Sequence, residues 1–260
     1  MKLGISYPAF NGIELLEYAL RAIRSEVDFV SVIYQDISFF GNSAQEDLLD
    51  ILNRLADDRL IDMLICYEQD FNVGNKENET RIRNLGVDLS REIGCTHHIS
   101  ADVDEFYLPE QLRYVKDNIH GYDCSLVRLT NYYKHPCWQI KPEQNQQVTF
   151  IHPVDNYYDL HSDFPFPIEI SRKPVRSNTC RVFTRDEFVI HHMTYVRKNL
   201  RDKFANSPTG KMVKIEKFMK KFDIYKLGDL LCIPPEFLNR KTVLTPNIFN
   251  IKESIWEQHH

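Results

Sequence analysis

The amino-terminal part of the chain repeats one pattern: a short run of β-branched and aliphatic residues, then a segment whose apolar residues recur at helical spacing. Residues 3–7 form an apolar stretch stopped by Pro8, and residues 13–24 place Ile13, Leu16, Leu20 and Ile23 on one helical stripe. The run at 29–34 leads through a polar loop around Gly41, Asn42 and Ser43 to a second helical pattern carrying Leu48, Leu49, Leu52 and Leu55. Residues 63–67 and 76–93 repeat the unit, with Ile82, Leu85 and Leu89 on one face and Gly94 placed to close the helix. Residues 96–101 read as a fourth strand, which delivers the chain into Asp102-Val103-Asp104-Glu105-Phe106-Tyr107. Such alternation predicts an α/β fold, a parallel sheet with helices on both faces. In open sheets of this kind ligands bind beyond the carboxyl ends of the strands, where the acidic turn falls.

Beyond Pro109 the pattern predicts a helix to about His120 and a strand at 124–129, after which regular alternation ends. Residues 131–190, rich in Pro and aromatics, read as irregular strands and long loops. The segment 198–226 is basic and partly helical, with Met212, Ile215, Phe218, Met219 and Phe222 on one face and Lys214, Lys217 and Lys221 on another. With 260 residues and 43% hydrophobic content, the chain can bury one substantial core, so we expect one main domain, 1–130 and 131–197, with an appended tail at 198–260.

A net charge of -5 gives no global attraction to nucleic acid, so no nucleic-acid partner is expected. Gly4 and Pro8 interrupt the start before a signal core could form, and no segment approaches about eighteen continuous apolar residues. The expectation is a soluble, unexported, cytoplasmic protein. The cysteines at 66, 95, 124, 137, 180 and 232 are dispersed without a CxxC pair, which suits reduced, mostly buried thiols. No P-loop, G-x-S-x-G elbow, H-E-x-x-H or dinucleotide fingerprint occurs.

Asp102 and Asp104, one residue apart at a strand end, can both turn toward one cation. Hard carboxylate oxygens suit Mg2+ or Mn2+, and an ion held this way would bridge two phosphates. On the preceding helix, Arg83 could pair with a phosphate or base and Asn84 could fix a ribose or base edge, or the arginines there form a solvated face.

Glu79-Thr80, Arg83-Asn84, Gly86, Gly94-Cys95-Thr96-His97 and the turn 102–107 together resemble the donor half of GT-A, family-2-like glycosyltransferases. The resemblance spans residues 1–130 and adds the later segment His191-His192-Met193-Thr194-Tyr195-Val196-Arg197. It implies a GT-A, Rossmann-like sheet, mostly parallel and flanked by helices, with a donor-binding half at 1–130, an irregular acceptor-side half at 131–197 and a basic helical tail. It further implies that Asp102 and Asp104 bind Mn2+ or Mg2+ and the donor diphosphate, that Arg83 and Asn84 help hold the nucleotide, and that His191 or His192 is a further metal ligand. Tyr7, where the first strand turns over the base, would stack on the base or pack in the core. After strand two, where the family often has an acidic cluster, this chain reads Tyr34-Gln35-Asp36, leaving Gln35 and Asp36 as the base-contact candidates.

On the acceptor side Tyr132, Tyr133, Trp138, Tyr157, Tyr158, Phe164 and Phe166 could offer a sugar platform, though many belong to the core. Inversion, preferred by family analogy, needs a base, for which Asp159, Asp163 and Glu169 are the candidates. The resemblance implies a nucleoside-diphosphate sugar donor and a glycan or lipid-linked acceptor, in surface-polysaccharide or lipopolysaccharide assembly. The basic tail either rests on the inner face of a membrane or packs its Met/Phe stripe on the domain. Two alternatives stay open: a nucleotidyltransferase, although its usual glycine-rich loop is absent, and a degenerate nucleotide-sugar-binding protein.

Overall fold

Each amino-terminal apolar run becomes a strand in the computed structural model, which describes residues 1–231, 237–252 and 254. Strand β1 (Leu3–Ala9), helix α1 (Leu16–Ile23), β2 (Phe29–Tyr34), α2 (Leu48–Asp57), β3 (Met63–Cys66), α3 (Asn75–Glu92) and β4 (His97–Ser100) follow in order. The four strands lie parallel in the order β3-β2-β1-β4, so the carboxyl ends of β1 and β4 are neighbours at the centre. The apolar stripe of α1 is buried through Leu16, Leu20 and Ile23, and that of α2 through Leu48, Leu52 and Leu55, while Leu49 stays exposed. Helix α3 lies so close to β1 that a Cβ added at Gly86 would meet Ser6 Oγ at 2.1 Å. Gly94, at φ 78, turns the chain out of α3 into β4, its N–H donating to the Arg91 carbonyl.

The second half is more regular than its sequence predicts. After β5 (Glu105–Phe106) and α4 (Pro109–Asn118), β6 (Cys124–Tyr133) continues well past residue 129. It anchors a second sheet with β7 (Trp138–Lys141), β8 (Gln147–Thr149), β10 (Cys180–Val182) and β11 (Val189–Tyr195), while β9 (Ile151–Pro153) joins the first sheet antiparallel to β4. Thr130 and Asn131 hide this strand in the sequence: they are polar yet buried, and they break the apolar run.

The carboxy-terminal segment is no appendage. It contains α5 (Leu200–Ala205), α6 (Pro208–Met212), α7 (Ile215–Ile224) and β12 (Lys241–Leu244), and β12 pairs antiparallel with β7 at the edge of the second sheet. Phe218, Met219 and Phe222 of α7 bury against Tyr133, Tyr195 and Phe204, so the expected Met/Phe stripe packs on the domain. The side chain of Met212, and Cys232 entirely, lie outside the described residues. Among the described residues no helix is long and apolar enough to cross a membrane.

Candidate functional site

A cleft of about 470 Å³ opens where β1 and β4 end, and the acidic turn forms its floor. The turn is pinned from below: the Asp102 N–H donates to Glu105 Oε2 at 3.2 Å, the Tyr107 hydroxyl donates to the same oxygen at 3.1 Å, and β5 pairs with β11 through His192 opposite Glu105. The Met193 N–H donates to the Asp104 carbonyl, which ties the turn to the second sheet.

The two aspartates face different surroundings. Asp102 accepts from Arg83 Nη2 at 2.9 Å and lies 2.7 Å from Arg172 Nη2. Arg172 also reaches Glu105 at 2.9 Å and Glu169 at 3.5 Å, and Arg83 reaches Glu79 at 3.0 Å. Lys76 closes the cluster, 2.6 Å from Glu79 and 2.8 Å from Glu169. Burial opposes ionisation of Asp102 and Glu169, but the arginines hold Asp102 below, and Glu169 well below, the usual carboxylate range. Burial pushes Glu105 up in spite of Arg172.

Asp104 instead meets groups from beyond β11: Arg197 Nη2 in hydrogen-bond contact, Lys203 Nζ at 3.3 Å and His192 Nε2 at 3.5 Å. Burial again opposes its ionisation, and Lys203, His192 and Arg197 hold it well below the usual range.

Strand alternation settles the histidine pair. His192 points into the cleft, whereas His191 points to the opposite face, bonded to the Tyr132 hydroxyl at 2.9 Å and lining a separate cavity of about 420 Å³. Burial lowers His191 to about 4, so it is neutral there. His192 Nδ1 lies 2.9 Å from Asn131 Oδ1, an oxygen that can only accept, so Nδ1 carries hydrogen and Nε2 faces Asp104 Oδ1. A fixed tautomer of this kind is how metal-ligating histidines are oriented. Asp104 and His192 are thus the two potential ligand side chains that face each other in the cleft, whereas both oxygens of Asp102 lie on arginines and His191 faces away. Among the described residues no three His, Cys, Asp or Glu side chains converge on one point.

Of the other expected site residues, Arg83, Gln35 and Glu169 line the cleft. Tyr7 is fully buried in the core beneath it. Asn84 is consumed by the Tyr158 backbone, donating to its carbonyl and accepting from its N–H, both at 2.9 Å. Asp36 is exposed and bonded to the Cys66 thiol, and Asp159 and Asp163 are exposed away from the cleft. Tyr132, Tyr133, Tyr158 and Phe164 are core residues; the aromatic rings at the cleft are those of Phe10, Phe39, Phe40, Tyr195 and Phe237. Arg172, Lys203 and Asn131 were not singled out by the sequence. Arg172 sits in a single 3-10 turn, Ile170–Arg172, and Lys203 in a tail rich in lysine, so neither carries a periodic signal.

No protein-family model matches the chain, and none of the curated proteins matches it. Among solved structures, S. aureus TarS is similar over 75% of this chain and 37% of that one, at 14% identity and a TM-score of 0.45. S. aureus TarS 1-349 in complex with UDP-GlcNAc is similar over 75% and 59%, at 13% identity and a TM-score of 0.47. Mannose-1-phosphate geranyltransferase from Thermus thermophilus is similar over 59% and 50%, at 12% identity and a TM-score of 0.34. The chain thus spans less than two thirds of the length of each. Its own architecture defines the class: an α/β protein with a parallel-rich sheet flanked by helices and a charged cleft at the carboxyl ends of the strands.

Proposed function

We propose that this chain is a nucleotide-sugar glycosyltransferase, moving a sugar from a nucleoside-diphosphate donor to an acceptor hydroxyl. The observation that carries the reading is the turn Asp102-Val103-Asp104 at the carboxyl ends of β1 and β4, set among fixed cations in a cleft of nucleotide size. In the displacement, charge builds on the departing diphosphate, and preorganised cations lower the barrier by stabilising it. Mn2+ or Mg2+, where bound, would be held by Asp104 and His192 and would add positive charge to the same leaving group. Arg83 and Arg172 hold Asp102 and keep the floor rigid. Of the three carboxylates considered as base, Glu169 lines the cleft; it is ionised and can accept the acceptor's proton, although its cation partners make it a weak base. Inversion with Glu169 as base is part of this proposal.

A surface-glycan or lipopolysaccharide acceptor belongs to the same reading, as does peripheral contact of the exposed Lys214, Lys217 and Lys220 with an anionic leaflet. An acceptor screen giving transfer only to protein or small metabolites would remove the glycan pathway, and failure to co-sediment with anionic vesicles would remove the membrane contact.

The deciding experiment is thermal stability against a panel of nucleoside diphosphates and UDP-GlcNAc, with and without Mn2+, on the wild type and Asp104→Ala. A ligand at a hundredfold its Kd adds about 2.7 kcal/mol, a rise of several degrees. A shift with one diphosphate that Asp104→Ala loses supports the donor site and names the base, and no shift with any sinks the reading. Product analysis separates the rivals: pyrophosphate release identifies a nucleotidyltransferase, and binding without turnover a degenerate protein.

A further inference from the structure

We infer that Lys203 and Arg197 form a clamp for the diphosphate on the carboxy-terminal wall of the cleft, a role that rests on, and deepens, the donor-site reading. Charge is distributed unevenly across the cleft floor. Around Asp102 the cations Lys76, Arg83 and Arg172 are outnumbered by the carboxylates of Asp102, Glu79, Glu105 and Glu169. Around Asp104 the balance reverses: Arg197 and Lys203 face one carboxylate. Two like charges enclosed beside a lone anion are costly unless another anion joins them. The surplus positive charge lies on the Asp104 side, and that is where an anionic ligand gains most.

Both cations retain hydrogen-bonding capacity. Lys203 Nζ donates to Thr194 Oγ1 at 2.6 Å and to Asp104 Oδ2 and lies 5.9 Å from the centre of the Tyr195 ring, so one of its three ammonium hydrogens has only that ring and the cleft before it among the described residues. Its side chain is 18% exposed and lines the cleft, so that hydrogen can reach a ligand. Arg197 donates from Nη1 to Asn11 Oδ1 at 3.1 Å and from Nη2 to Asp104, while its buried Nε has no acceptor.

Local structure holds the pair in place. Gly12, at φ 71, leaves the guanidinium its room, since a Cβ there would lie 2.7 Å from Nη1. Helix α5 is capped by Asn199, whose side chain accepts from the Asp202 N–H, and Phe204 is buried in the second core. Asn206 accepts from Asn42 Nδ2 at 3.0 Å and ties the end of α5 to the loop at 38–44 across the cleft mouth. A flexible lysine held this way loses little further freedom on binding, and Arg with Lys is the side-chain chemistry that matches phosphate oxygens.

The test is calorimetric titration of inorganic pyrophosphate, nucleoside diphosphates and the bare nucleosides into wild type, Lys203→Met, Lys203→Arg and, as an exposed-lysine control away from the cleft, Lys241→Met. A charge-assisted hydrogen bond of about 1.5–3 kcal/mol corresponds to roughly 10- to 100-fold in affinity. Lys203→Met is expected to weaken pyrophosphate and nucleoside-diphosphate binding by that factor, Lys203→Arg to keep most of it, and Lys241→Met to change nothing. A lysine that merely supports Asp104 would lower the melting temperature and leave pyrophosphate affinity as in the wild type; that result, with Lys203→Met folded by circular dichroism, overturns the clamp. Pyrophosphate binding that depends on Lys203, without preference for any nucleotide, keeps the clamp and defeats the donor-site reading. Pyrophosphate failing to bind the wild type overturns the clamp itself.

Discussion

Arg172→Met tests whether the floor of the cleft is held by charge. The Arg172 side chain is 1% exposed, 2.7 Å from Asp102, 2.9 Å from Glu105 and 3.5 Å from Glu169. Methionine replaces the stem but leaves the buried Glu105 and the part-exposed Asp102 and Glu169 with only Arg83 and Lys76 as company. Breaking a buried ion pair from one side costs about 3–5 kcal/mol. At roughly 2–4 °C per kcal/mol for a chain of this size, the melting temperature should fall by about 6–20 °C at neutral pH. The sign of the pH dependence is a second handle. In the wild type Asp102 and Glu169 sit below their usual range, so the stability they contribute is present above about pH 4 and lost only in stronger acid. In the variant Glu105, already pushed up by burial, loses its cation and rises further above its unfolded value. Its penalty is then full at high pH and relieved as pH falls through the raised value. Melts followed by circular dichroism at pH 7.5, 6 and 5 should show the gap between variant and wild type narrowing. A variant melting within about 3 °C of wild type at pH 7.5, half the smallest fall expected, or a gap that widens on acidification, refutes the reasoning.

Three further outcomes follow from the same packing. Burial lowers His152 and His191 to about 4 and His98 well below its usual value, so all three are folded in neutral form. Their contribution is complete above about pH 6.5 and lost as pH falls toward 4, about 2 kcal/mol each for His152 and His191 at pH 5; urea unfolding equally stable at pH 7 and 5 would contradict it. Gly86→Ala drives a Cβ to 2.5 Å from Ser6 Cβ, and the overpacking of about 1–3 kcal/mol should outweigh the roughly 1 kcal/mol gained in helix propensity. An unchanged or raised melting temperature would show that α3 can lift from β1 at no cost. The sulfurs of Cys124 and Cys180 lie 2.9 Å apart on adjacent strands, so diamide should oxidise them to one disulfide, with loss of two hydrogens by mass spectrometry, slowly because burial pushes both thiols up. Quantitative alkylation of both residues after oxidation and unfolding would rule it out.

The first sheet was legible because β2 and β3 are apolar-rich runs bounded by turn residues and because strand and helix patterns alternate through β4, although β4 itself, His97-His98-Ile99-Ser100, holds one aliphatic residue. The second sheet was not: β8 and β10 are three residues each, and β6 carries Thr130 and Asn131 where its apolar run should continue. In the cleft, Gln35, Asp102, Asp104 and Glu169 lie just outside regular elements, where the sequence reading looked for ligands, whereas Arg83 lies inside α3 and His192 inside β11. Choosing His192 over His191 required the register of β11 against β5, which pairs His192 with Glu105. Tyr7 and Asn84 are residue types that serve ligands or cores equally well. Their fate is decided by how closely α3 and the Tyr158 backbone approach, a tertiary distance that leaves no local trace.

The acidic turn and its counter-charges are far apart along the chain: carboxylates at 102–105, cations at 172, 197 and 203. During synthesis a nascent chain that has emerged through β4 and β5 holds Asp102, Asp104 and Glu105 with Arg83 alone among their later cationic partners. The turn can sink into its final position only when the second half arrives to neutralise it. Order of translation therefore becomes order of assembly: the parallel strands can pair early, and the cleft closes last, when α5 delivers Lys203.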